Sequence, residues 1–236
     1  MVVVAVFTVL VGFARLTRWK YHRKWLSRLY TLLLITVGAA YSLVWAPAAE
    51  RWLDPAFRSW VGPNFSDSLS GLLNAVACWM LGLVLLISMS DKRSYRIGWT
   101  WFSAITAAVM VVASRVGDLG RVEVGHEFQL HDWGTTVFTL GFTVMVCGVV
   151  VLLMKALRRV VTESPPQATA GGWAVGSMIA VLVPGGVFVG WVWWCLLWAP
   201  QWLAANHSVF VAWTAGPALV LLGVSGGLSM VAARGR

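Results

Sequence analysis

Residues 69–89 read LSGLLNAVACWMLGLVLLISM, and residues 90–96, which follow, read SDKRSYR. No side chain from Leu69 to Met89 is charged. At ~1.5 Å per residue such a helix is long enough to cross a hydrocarbon core of ~30 Å. It halts at Asp91, Lys92 and Arg93, where a membrane helix would meet the headgroups. Six further runs of this kind flank it: Met1 to about Leu16, Leu29 to Ala46, Gly98 to Ser114, Gly134 to Met154, Trp173 to Ala199, and Val209 to Ala233. The expected fold class is all-α: one polytopic membrane domain spanning 1–236, with seven transmembrane helices. The first run is the weakest, because sixteen residues rise only ~24 Å. It has no preceding positive charge and no small-residue cleavage site, so it reads as an uncleaved first helix.

Composition agrees. The chain is 59% hydrophobic and 11% charged, with a mean hydropathy of +0.76. A soluble domain carries about 25% charged residues. The net charge of +9 does not indicate nucleic acid, because the basic residues lie in short patches between apolar runs and not on a soluble module.

Those patches set an orientation. Arg15, Arg18, Lys20, Arg23, Lys24, Arg28, Lys92, Arg93, Arg96, Lys155, Arg158, Arg159, Arg234 and Arg236 all fall in alternate loops, fourteen of the eighteen basic residues. Lysine and arginine accumulate on the cytoplasmic side. The expectation is an inner-membrane protein with its N-terminus outside and its C-terminus in the cytoplasm. Tryptophans fit the same frame: Trp19, Trp25, Trp99 and Trp173 mark inner boundaries, and Trp45, Trp52, Trp60, Trp133, Trp198 and Trp202 outer ones. Of the outer segments, Asp54-Pro55 reads as an N-cap followed by proline at the first helical position, opening an interfacial amphipathic turn. The alternation of Val122, Val124, Phe128 and Leu130 suggests a small hairpin. On the inner side, residues 163–172 (ESPPQATAGG) read as a linker.

Candidate chemistry is sparse. No Asp, Glu, Lys, Arg or His lies in the middle of a span, which argues against a proton-driven pump, a retinal Schiff base or transmembrane haem. Asn74 is the strongest polar group in a span core and is expected to bond to a neighbouring helix. Outside, His126, His131, Asp132 and His207 could hold a divalent metal such as Zn²⁺. The spacing HExxxHD is not the HExxH of a helical zinc site. The competing reading is a solvated loop paired with Arg115 and Arg121. The three cysteines, Cys78, Cys147 and Cys195, lie in apolar runs without a CxxC and read as buried small hydrophobes.

Gly223-Val224-Ser225-Gly226 resembles the GxSG around the serine of rhomboid-type intramembrane proteases, but no histidine lies at that depth to act as base. Helix packing through Gly223 and Gly227 is the better reading, with Gly186 and Gly190 forming a second GxxxG. The sixth run is the most suggestive feature. Pro184-Gly185-Gly186 interrupts it near its middle, where proline removes a backbone N–H. Broken helices form substrate sites in transporters, and they also occur as simple kinks. Trp191, Trp194 and Trp198 share one stripe of its outer half, expected to pack on a neighbouring helix, a lipid tail or a partner, and this helix is expected to form the main contact surface of the protein.

The stretch Arg51 to Leu73, with Val61, Gly62, Pro63, Asn64 and Leu69, resembles a loop in an actinobacterial family of multi-pass membrane proteins of unknown function described as putative transporters. The resemblance implies a seven-span plan and carries no catalytic residues. Three function classes stand. A non-catalytic partner, subunit or regulator of a membrane assembly comes first by a small margin. A small-molecule or lipid transporter or permeation subunit follows, and then an outer-face metal-dependent enzyme. The expected partners are the lipid bilayer and another membrane protein, or self-association through the GxxxG faces.

Overall fold

A computed structural model describes residues 2–17, 25–45, 47–59, 62–89, 92–117, 132–163, 170–198 and 200–234. Helices follow one another along these residues: α1 (Val2–Leu16), α2 (Trp25–Trp45), α3 (Pro47–Phe57), α4 (Phe65–Ser88), α5 (Arg93–Val116), α6 (Trp133–Glu163), α7 (Ala170–Ala180), α8 (Leu182–Trp198) and α9 (Pro200–Arg234). No strand occurs among them. Six stretches are long and apolar enough to cross a membrane, 25–43, 65–88, 93–116, 133–162, 172–195 and 212–232, and the protein is a multi-pass membrane protein. Helix α1 is apolar but shorter, at 15 residues.

The centre of the bundle is α4, packed by α2 on one side and by α5 and α6 on the other, while α9 gathers α1, α2, α7 and α8. The main core joins Leu33 and Leu34 of α2, Leu81 and Leu85 of α4, Leu153 of α6, and Leu219 and Leu222 of α9. Small residues decide how close the helices come, as expected where lipid is as apolar as leucine. A Cβ on Gly12 would meet Ile35 Cγ1 at 2.6 Å, and one on Gly38 would meet Val9 Cγ2 at 2.5 Å. Helix α1 therefore runs antiparallel to α2. Along α9, Phe7 abuts Gly223 and Val11 abuts Gly226, so α1 runs parallel to α9.

One charge counted as a loop residue is built into this corner. Arg15, in the last turn of α1, is 2% exposed. Its Nε donates to Thr31 Oγ1 at 3.0 Å. One terminal nitrogen donates to the Gly226 carbonyl at 3.0 Å and to Ser229 Oγ. The other donates to Ser27 Oγ at 2.9 Å and to the Ser27 carbonyl at 3.3 Å. Tyr30 lays its ring 5.4 Å from the guanidinium carbon, and its hydroxyl donates to the Leu222 carbonyl. A guanidinium has five N–H donors in a planar fork. Here five oxygens on two neighbouring helices receive them, every one neutral, and so α1 is tied to α2 and α9 at once.

Three local expectations are corrected. Asp54 does not open a helix, because α3 runs from Pro47 through Asp54 and Pro55 to Phe57. Its carboxylate instead accepts the Ser66 backbone N–H at 2.7 Å and the Ser66 hydroxyl at 2.9 Å, capping α4 across the turn. That turn holds Gly62 at φ 114°, a left-handed conformation that suits glycine. Trp99 is no simple boundary residue: its indole fills the space left by Gly82 and Gly148 and donates to the Trp79 carbonyl at 2.9 Å. Finally, the outer segment before Val209 is helical, since α9 begins at Pro200. The 122–130 hairpin lies outside the described residues.

A candidate ligand cavity at the interrupted helix

The sixth apolar run is two helices. α7 ends at Ala180 and α8 begins at Leu182, with Val181 between them in a turn. Pro184 explains the break. It has no N–H for the Ala180 carbonyl, and its ring crowds that carbonyl. The chain tightens instead, with Val181 N–H reaching the Met178 carbonyl at 3.3 Å, and resumes at Gly185 N–H to the Val181 carbonyl at 3.0 Å. Pro217 lies inside the unbroken α9, whose neighbours pack along its length. Proline alone is therefore not sufficient; at 184 two glycines follow it and no tight neighbour presses on them.

Against this break lies a cavity of ≈ 110 Å³ between α2, α4, α6, α8 and α9. Pro184, Gly185 and Phe188 form its α8 wall, facing Leu81, Val150 and Ala218. Among the described residues, nothing that lines it carries a charge. Its polar groups come from Asn74, Thr214 and Tyr41, and Cys78 adjoins Asn74 one turn on. Asn74 is 9% exposed, and its carboxamide has no hydrogen-bond partner among the described residues. The expected interhelical bond is absent there. An unmet carboxamide in apolar surroundings costs ~1–3 kcal/mol, which marks the position as unusual.

Of the tryptophan stripe, Trp191 packs within the chain, its ring 6.2 Å from that of Phe210 and 5.5 Å from that of Trp202. Trp194 and Trp198 are 59% and 74% exposed and open to lipid or a partner. The inward seam is Phe188, Val192 and Cys195, packed on Phe210 of α9. Among the described residues, nothing beyond the helix's own backbone comes within 4 Å of where a Cβ on Gly186, Gly190 or Gly227 would stand, so neither GxxxG pair packs as a pair there. In α9 the close approach is made by Gly223 against Phe7 and Gly226 against Leu34, three residues apart. Indoles tolerate lipid and headgroups, whereas the smaller side chains fit between backbones. That preference sorts the two faces. Within the chain the sixth span packs more extensively than α1, and α2 and α4 pack more extensively still.

Ser225 of the GxSG stretch is 3% exposed, and its hydroxyl donates to the Ala174 carbonyl at 2.7 Å. It joins α9 to α7. Of the metal candidates, His126 and His131 lie outside the described residues, and His207 lies on α9 without a described side chain. Asp132 uses its carboxylate to accept Gly134 N–H at 2.7 Å and Thr135 N–H at 3.2 Å, the N-cap of α6. No group of three His, Cys, Asp or Glu gathers among the described residues. No family model, curated protein or solved structure matches the chain.

Proposed function

We propose that this chain is a small-molecule or lipid transporter, or a permeation subunit, of the cell inner membrane, and that the interrupted span α7–α8 is its working part. One observation carries the reading: the helix break and an apolar cavity coincide, with Pro184 and Gly185 in the cavity wall. Discontinuous helices place backbone irregularity where a ligand site needs it. This reverses the order favoured by sequence alone, which put a non-catalytic partner first.

The reading includes seven spans with the N-terminus outside. What supports the seventh is the placement of α1 inside the bundle, parallel to α9. Parallel α1 and α9 support termini on opposite sides, and the basic loops favour a cytoplasmic Arg236. A reporter fused after Arg236 should be cytoplasmic, and a cysteine placed in Gly120 to Gly125 should react with an impermeant reagent from outside.

Cys78 tests the transport reading directly, because it lines the cavity. With Cys147 and Cys195 replaced by alanine, a small neutral thiosulfonate should modify Cys78 in sealed vesicles and slow the protein-dependent efflux of a small neutral solute. No modification, or efflux that modification leaves unchanged, would overturn permeation. A second reading, the partner subunit, is favoured by the open glycines Gly186 and Gly190 on α8, the helix that also carries the exposed Trp194 and Trp198. Such a face lets another helix approach closely. Purification with native companions should then yield a stoichiometric partner, and Gly190→Leu should release it. A chain that purifies alone in mild detergent would remove that reading.

A further inference from the structure

The cavity at the break holds one polar side chain for which the fold provides no partner. Asn74 lies on its wall, 9% exposed and without a hydrogen-bond partner among the described residues. A carboxamide offers two N–H donors and a carbonyl acceptor, so it can meet a neutral polar group in either sense. Thr214, 3% exposed, also lines the cavity. Its hydroxyl hydrogen goes to the Phe210 carbonyl at 2.9 Å, which leaves its oxygen able to accept.

The rest of the wall limits what can enter. No Asp, Glu, Lys, Arg or His among the described residues lines it, so an ion would lose its hydration without compensation. The volume is ≈ 110 Å³, and an apolar cavity of ~150 Å³ holds a benzene. The occupant is therefore compact, with roughly five non-hydrogen atoms on that scale. We infer that this cavity takes a compact neutral molecule, apolar but for one carboxamide, carbonyl or hydroxyl group, and that Asn74 recognises that group. The inference rests on the reading of the cavity as the working site.

Propionamide fits the description; propionate and propylammonium are its charged counterparts, and xenon reports entry to the apolar space alone. Protein in nanodiscs of deuterated lipid would be titrated with each, following saturation-transfer NMR for the organic molecules and the ¹²⁹Xe shift for xenon. Propionamide should bind saturably and the two ions should not. Asn74→Leu should weaken propionamide about tenfold, the size of one or two neutral hydrogen bonds, and leave the xenon shift in place. Ala218→Phe, which fills the cavity, should abolish both signals. If Asn74→Leu does not fold, Asn74→Ala takes its place with the same readouts. Equal propionamide binding by wild type and the Asn74 variant, with xenon still entering, would overturn the inference and leave the cavity reading standing. Binding that survives Ala218→Phe places the molecule elsewhere and overturns the inference too. No xenon shift and no binding would make the cavity a sealed packing void, and both readings would fall.

Discussion

Two corners of this bundle are built from the same materials and use them in opposite ways. Where α1, α2 and α9 meet, Gly12, Gly38, Gly223 and Gly226 each bring a neighbour within van der Waals contact, and Arg15 ties the three helices with five hydrogen bonds. Along α8, a Cβ on Gly186 or Gly190 would meet open space among the described residues, the helix is broken before Pro184, and a cavity lies behind it. Lipid offers no hydrophobic drive to close such gaps, so tightness has to come from backbone approach and polar ties. The first corner has both. The second has neither at these glycines, and its hold on α9 comes from Phe188, Val192 and Cys195 against Phe210.

The largest effect should come from Arg15→Ala. It removes five donors and leaves acceptors on α2 and α9 buried, so unfolding in mixed detergent should become easier by about 3 kcal/mol. Arg15→Lys should recover only part of that, since an ammonium has three donors and no planar fork. A loss under ~0.5 kcal/mol, the range of an ordinary surface substitution, would show that the tie does not hold the corner. Gly38→Ala comes next. Its Cβ would press on Val9 Cγ2 at 2.5 Å and the Ala5 carbonyl at 3.0 Å, and the cost should be about 1–3 kcal/mol.

Pro184→Ala should act in the other direction. It restores an N–H for the Ala180 carbonyl, so α7 and α8 should join, with a gain of about 0.5–1.5 kcal/mol and slower amide exchange at 180–185. If the gap persists in the variant, packing and not proline is its cause. The smallest effect belongs to Gly190→Ala, which meets open space and should change stability by less than ~1 kcal/mol, toward the more stable side. A loss as large as that of Gly38→Ala would show that the α8 face is covered by something in the assembled protein. That one comparison separates the two corners.

Much of this was legible in the chain. The six long apolar stretches, the interruption in the sixth run and the short first helix all follow from run length and from proline's missing N–H. The site was half legible. Pro184 and Gly185 were evident, and Asn74 was visible as the strongest polar group in a core. Nothing in its sequence neighbourhood said that it would face a cavity instead of a partner helix. Arg15 was hidden by its position, because an arginine one residue from a helix end reads as a loop charge. Its five acceptors come from residues 27, 31, 226 and 229, and no local pattern links them.

Sequence by itself determined that the chain lives in a membrane and where its long apolar stretches lie, because apolar length and backbone hydrogen bonding are local properties of each segment. Which face of each helix turns inward was left to the tertiary structure. In water, hydrophobic periodicity would have named that face. In lipid, an outward Trp194 and an inward Val192 are both comfortable, and the choice falls to shape: which backbones can approach, which polar atoms find partners, and where they do not. The tie at Arg15 and the unpaired Asn74 are products of that choice.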